Sequence, residues 1–291
     1  MFKVSDTKKG FLKSLFGNFR KGPHGLRYWL LPGSKIDEAD LNMLLSFDFK
    51  KPQPDKITTI FKGNSKKRTR VMRFESNGTS FVTKIFRPYC ARKIFRNHLT
   101  HKRYVFSELK NCVQAARLGI STPKMYAYFE QTILGFVYQS GIIMEDLYDH
   151  TRLTNLLVAG KRTIFDCLPV FKEFFFKGIY HMDTNTRNLL FRESDSHFTI
   201  IDWQESKFYP RLNDSQLCAM VAKMFFSAGI SQEDPQWRLW IQALYEECRP
   251  GISLEEMLNA VQILQSKRIP TAFRNNPDIS QSALEAYIST N

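Results

Sequence analysis

The sequence predicts an α+β fold, with a sheet-rich front part carrying one helix and a helix-rich rear part. Two patterns carry that prediction. Residues 57–86 read as three short strands, and their last turn holds Asn77-Gly78, a strong hairpin signal. After Asp202, apolar residues recur at helical spacing almost to the end of the chain. With 291 residues, 43% hydrophobic and 14% aromatic, the chain can bury one large core or two lobes.

Residues 1–55 read as a basic N-terminal extension. Within 2–21, Phe11, Leu12, Leu15, Phe16 and Phe19 form a helical stripe among Lys3, Lys8, Lys9, Lys13, Arg20 and Lys21. Such a helix can lie in a bilayer interface or pack its apolar face on the body of the protein, and both readings stay open here. Pro23, Pro32, Gly33, Pro52 and Pro54 then break up a poorly patterned stretch.

Residues 56–145 read as an N-lobe, with strands at 57–62, 69–75 and 80–86 and a helix at about 102–118, stopped by Gly119 and Pro123. The connection GNSKKR at 63–68 sits where a loop could cover phosphates, although an exposed basic turn explains it equally well. Strand-like segments follow at 124–130 and 133–138, then GIIMEDL at 141–147. Residues 146–291 read as a helical C-lobe. An apolar helix at 161–177 leads into a polar loop and two short strands, and further helices are expected at 215–228, 235–248, 254–267 and 280–288.

Net charge is +14, and its distribution is uneven. Residues 1–110 hold 25 Lys/Arg against 8 Asp/Glu, whereas 111–291 hold 17 against 20. A polyanionic partner should therefore approach the front part. The five cysteines lack metal-ligand spacing and read as buried, reduced thiols. Met1–Gly10 lacks the apolar centre of a signal peptide, and no window approaches the roughly 20 apolar residues of a spanning helix. The expected location is cytoplasmic, peripheral at a membrane face.

The run GIYHMDTNTRNLL at 178–190, followed by TIIDW at 199–203, carries the chemistry. Its His181, Asp183, Asn188 and Asp202 have a spacing that suits phosphoryl transfer from a metal-bound nucleotide. One carboxylate must receive or orient the proton of the acceptor hydroxyl, the place of Asp183. An amide and a carboxylate must hold a divalent metal against the donor phosphates, the places of Asn188 and Asp202. Taken alone, the loop could be a plain Asp/Asn-rich turn and Asp202 a helix cap. His181 reads as structural, bonding backbone nearby. Arg187 reads as an exposed arginine that could meet substrate phosphate. Upstream, alternation puts Lys84 on one strand face with Val82 and Phe86, where a bare ammonium would be costly. Glu108 in the following helix can answer it; otherwise Lys84 snorkels to water and Glu108 pairs with Lys102 or Arg103. Glu145 and Asp146 fall where a connector would pass a nucleotide's base and ribose.

Together these pieces resemble the protein-kinase-like fold, and within it the bacterial lipopolysaccharide core kinases that phosphorylate heptose or Kdo. The matching segments are FVTKIF, SELKNCVQAARLGISTP, GIIMEDL, GIYHMDTNTRNLLF and TIIDW, spanning about 80–205. The resemblance implies a small antiparallel-sheet N-lobe and a helical C-lobe, with ATP and Mg2+ as cofactors. It implies that Lys84 anchors the α/β-phosphates, Glu108 pairs with it, Asp183 is the catalytic base, and Asn188 and Asp202 bind magnesium. Two departures argue against a switched protein kinase: Trp203-Gln204 follows Asp202 instead of Phe-Gly, and Met182 stands where many protein kinases have Arg.

The function so implied is phosphorylation of a sugar hydroxyl of the lipopolysaccharide inner core, heptose first. The acceptor, an anionic glycolipid on the cytoplasmic face of the inner membrane, would meet the basic residues Arg87, Arg92, Lys93, Arg96, Lys102 and Arg103. No nucleic-acid recognition motif accompanies the charge, and no protein partner is evident. Alternatives are a kinase for Kdo or another small molecule, or a non-catalytic lipid-surface regulatory module on the same scaffold.

Overall fold

The structure, a computed structural model, describes residues 8–48, 52–62, 69–87, 104–134 and 136–266. The expected phosphate loop at 63–68, the cations Arg92, Lys93, Arg96, Lys102 and Arg103, Cys90 and the helix expected at 280–288 lie outside them. The chain forms two compact units, one of residues 1–113 and 123–148, the other of 114–122 and 149–291.

The first unit contains α1 (Lys8–Phe16), β1 (Arg20–Lys21), β2 (Leu26–Leu30), α2 (Glu38–Ser46), β3 (Ile57–Lys62), β4 (Thr69–Ser76) and β5 (Thr79–Phe86). It continues with α3 (Tyr104–Arg117), β6 (Met125–Ile133) and β7 (Phe136–Glu145). The strands make one antiparallel sheet in the order β1-β2-β6-β7-β5-β4-β3. The β4–β5 hairpin turns at Asn77 and Gly78, whose φ of 47° and 70° are the positive pair a tight two-residue turn demands. Alternation splits β5: Phe81, Thr83 and Ile85 are buried, and Val82, Lys84 and Phe86 take the opposite face. Phe74, Phe81, Ile85, Phe129 and Ile143 form a core with Leu41, Leu44 and Leu45 of α2.

Residues 1–55 are therefore not a separate extension. β2 pairs with β6 from Leu26↔Gln131 to Leu30↔Ala127, and α2 closes the core. These elements escaped the pattern because the prolines fall between them, leaving only five and nine residues in which periodicity can show. Helix α2 starts on a reciprocal cap, with Asp37 accepting from the Asp40 N–H and Asp40 from the Asp37 N–H, at 2.9 and 3.1 Å. The fully buried Asp40 carboxylate also meets Lys56 at 2.7 Å and Ser76 at 2.5 Å.

Helix α1 packs its apolar face on the body of the protein. Phe11, Leu12 and Phe16 are buried, Phe11 lies edge-on to Phe106 at 5.7 Å, and Lys8 pairs with Glu130. Of the stripe only Phe19 is exposed. Residues 136–145 also depart from expectation, because β7 runs unbroken through Gly141. A Cβ there would come within 2.2 Å of the Phe129 ring, so the glycine makes room for a cross-strand aromatic and does not end a strand.

The second unit holds β8 (His150–Arg152), α4 (Leu153–Val158), α5 (Leu168–Phe176), β9 (Ile179–Tyr180), β10 (Leu189–Arg192) and β11 (His197–Ile200). After them come β12 (Lys207–Phe208), α6 (Asp214–Ala228), α7 (Pro235–Cys248) and α8 (Leu254–Ser266). The expected helix at 161–177 opens instead as a 3-10 turn, Ile164–Cys167, and turns α-helical at Leu168 with Pro169 in its first turn. Trp240 is a centre of this core: it packs edge-on to Phe171 and Phe225 at 5.2 and 5.3 Å and donates from Nε1 to the Ile164 carbonyl at 3.0 Å. Cys112, Cys167, Cys218 and Cys248 are buried, and burial pushes the Cys218 thiol up to about 12. No described helix is long and apolar enough to cross a membrane. The α+β class and the order of a sheet-rich front and a helical rear are those the sequence predicts.

Candidate active site

In the first unit, the strand face carrying Lys84 is met by α3. Lys84 Nζ lies 2.6 Å from Glu108 Oε2, with side chains only 12% and 5% exposed. An ammonium on an apolar strand and a carboxylate on an apolar helix are each costly to bury, and they compensate one another. Glu145, at the end of β7, accepts from the Lys124 N–H at 3.0 Å. Its neighbour Asp146 is buried against Arg73 at 2.8 Å and Ser80 at 2.6 Å, which engages that carboxylate in the fold.

In the second unit, Gly178 begins the approach to the polar loop. Its φ is +64°, and a Cβ there would lie 1.9 Å from the Tyr209 carbonyl oxygen, so only glycine fits. The loop itself alternates. Thr184 and Thr186 point inward: Thr184 donates to the Met220 carbonyl at 3.1 Å, and Thr186 meets Thr154 Oγ1 at 2.7 Å and donates its N–H to Ser227 Oγ at 2.9 Å. Asp183 and Asn185 are half-buried and Arg187 is exposed. Asn188 Nδ2 reaches back to the Asp183 carbonyl and to Asp183 Oδ2, both at 2.9 Å.

The two halves of the motif are joined by strand pairing. Leu189 sits opposite Ile200, and the Ile201 N–H donates to the Asn188 carbonyl at 3.1 Å. Asp202 follows directly in a left-handed conformation, φ 61° and ψ 54°. That is one of the few non-glycine residues to tolerate it. His181 is fully buried, and its Nε2 bonds the Ile201 carbonyl at 3.1 Å, the structural role its sequence suggested. Burial depresses its basicity more than Asp183 and Asp202 restore it, which favours the neutral ring.

Lys223 is the residue that sequence reasoning missed. From α6 it places Nζ 2.6 Å from Asp183 Oδ1 and donates to the Met182 carbonyl at 2.6 Å. Burial alone would raise the Asp183 pKa, but the charge of Lys223 and hydrogen bonds from Lys223, Asn185 and Asn188 outweigh it and hold the carboxylate below its usual range. A signal was available, because Lys223 is the only charged residue in LCAMVAKMFFSA at 217–228. That is the same anomaly that marks Lys84 on its strand.

Among the described residues no group of three or more His, Cys, Asp or Glu side chains is poised to hold a metal. Asn188 and Asp202 instead offer one amide and one carboxylate oxygen. Such a sparse oxygen set suits magnesium, which keeps waters and substrate phosphates as its other ligands.

The model of the lipopolysaccharide kinase (Kdo/WaaP) family matches residues 58–260. Among solved structures, one described as WaaP in complex with acyl carrier protein is similar over 80% of this chain and 88% of that one, at 14% identity and a TM-score of 0.47. No curated protein matches the chain.

Proposed function

The chain belongs to the lipopolysaccharide kinase (Kdo/WaaP) family, whose model spans more than half of it, and from that membership we infer phosphorylation of a heptose hydroxyl of the lipopolysaccharide inner core by ATP. The observation that carries the residue assignment is the Asp183 carboxylate, kept ionised between Asn188 and Lys223. An ionised carboxylate can accept a hydrogen bond from the acceptor hydroxyl and take its proton as the new bond forms. The acceptor oxygen bonds to the γ-phosphorus, the bond from that phosphorus to the β–γ bridging oxygen breaks, and ADP leaves. Lys84, steadied by Glu108, serves the α/β-phosphates. Asn188 and Asp202 would hold Mg2+, which when bound neutralises charge on the donor phosphates. The glycolipid acceptor puts this chemistry at the cytoplasmic face of the inner membrane, where the basic front part has an anionic surface to meet.

The test is Asp183→Asn, assayed for transfer of labelled phosphate from ATP to purified core glycolipid. Loss of the base lowers kcat by about 10²–10⁴-fold, with ATP affinity and the thermal transition little changed. Retention of near-normal core phosphorylation overturns the assignment.

A further inference from the structure

Within the second unit, beside the Asp183 loop, lies a cavity of about 360 Å³. That is near the lower end of the roughly 300–1,000 Å³ range of small-molecule sites, room for a sugar ring with its substituents. The loop lines it with Met182, Asn185 and Arg187, and α6 lines it with Met220, Lys223 and Phe226. Its charged lining residues are the cations Arg187 and Lys223, with no carboxylate among the lining residues.

Both cations have capacity left. An ammonium carries three N–H donors. Lys223 engages Asp183 Oδ1 and the Met182 carbonyl, which leaves one donor without a described partner. The guanidinium of Arg187 has no described partner, since only its backbone N–H is engaged, by Asn185 Oδ1 at 3.0 Å. Asp183 balances the charge of Lys223, so Arg187 gives the wall one uncompensated positive charge. The sulfur and aromatic surfaces of Met182, Met220 and Phe226 suit the apolar face of a ring. Position matters as well. A ligand bonded to the third N–H of Lys223 shares that ammonium with Asp183, and so lies next to the carboxylate that must meet the acceptor hydroxyl.

Resting on the phosphotransferase reading of Asp183, we propose that this cavity seats the acceptor sugar, and that the sugar already carries an anionic substituent, bound by Arg187 and Lys223. Phosphate and carboxylate share the required chemistry, and both geometries accept a forked arginine contact.

The experiment uses the full-length protein and lipid-free inner-core oligosaccharide in three forms: intact, dephosphorylated with hydrofluoric acid, and carboxyl-reduced. Steady-state kinetics are compared for the wild type and Arg187→Gln, a substitution at an exposed position. On the intact acceptor the variant should raise the acceptor KM about tenfold or more, as loss of a hydrogen bond to a charged group does, while the ATP KM stays within about twofold. Wild type and variant should converge on whichever modified form lacks the recognised anion, which names it as phosphate or carboxylate. Equal acceptor KM values on the intact form, or a penalty that persists on both modified forms, overturn the proposal. Asp183→Asn separates the premise from the inference. If it stays active, the assignment of Asp183 as the base fails and the cavity assignment that rests on it falls too. If it is dead while Arg187→Gln keeps a normal acceptor KM, only the cavity assignment falls.

Discussion

The Lys84–Glu108 pair can be taken apart so that stability and turnover give opposite answers. At 2.6 Å, with side chains 12% and 5% exposed, the two charges compensate one another. Replacing Glu108 by Leu removes the carboxylate that compensates a largely buried ammonium, and removing one member of a buried pair costs about 3–5 kcal/mol. At about 2–4 °C per kcal/mol, the melting temperature should fall by roughly 6–20 °C. Lys84→Met should cost a similar amount by removing the ammonium that compensates the buried Glu108 carboxylate. The double variant Lys84→Met/Glu108→Leu removes both charges and fills the space with apolar atoms of similar volume, an exchange that is neutral or stabilising by about 1–4 kcal/mol in other buried pairs. It should melt near the wild type and still fail to transfer phosphate, because the cation proposed to anchor the nucleotide is gone. Scanning fluorimetry and a phosphate-transfer assay on the same four proteins read both quantities. A double variant as unstable as Glu108→Leu would refute the burial argument, and one that turns over at near wild-type rate would show that the pair serves the fold alone.

Two further outcomes concern the first unit. Its buried Asp40 carboxylate faces a burial cost that raises its pKa, but bonds from Lys56, Ser76 and the Asp37 N–H outweigh it, so the folded pKa is lowered. Its contribution, about 1.5–3 kcal/mol for hydrogen bonds to a charged group, is complete above the unfolded value of about 3.9 and is lost as pH falls through the lowered folded value. The gap in denaturant midpoint between wild type and Asp40→Asn should therefore be wide at neutral pH and close in strong acid; a gap independent of pH contradicts the linkage. Leu12→Ala in α1 should lower stability by about 2–5 kcal/mol and leave sedimentation with anionic liposomes unchanged, whereas weakened sedimentation at full stability would put that helix face on a bilayer.

The sequence made Lys84 and Glu108 legible because each is a charge among apolar neighbours on an element with a clear period. The Asp183 loop was legible through spacing, and its link to Asp202 through the short strands on either side. Lys223 carried the same anomaly but stands 40 residues from Asp183, and nothing local says which way a lone helical lysine points. β2 and α2 were obscured by length, since their supports, β6 for one and the whole sheet for the other, lie far along the chain. Gly141 is ambiguous for another reason. A glycine inside a strand signals either a break or a close approach, and the ring of Phe129 that decides between them is known only from the fold.

The alternation in the 183–188 loop sets limits on how this site can change over time. Thr184 and Thr186 clamp the loop to α4 and α6, Asn185 bonds within the loop to Asp183 and to the Arg187 N–H, and Arg187 is exposed. Position 187 can therefore drift, retuning what the site accepts while the scaffold that holds Asp183 stays fixed. A one-residue insertion or deletion would do the opposite, turning anchors outward and the variable position into the interior. Acceptor preference in such a loop should diversify by substitution and hardly ever by change of length.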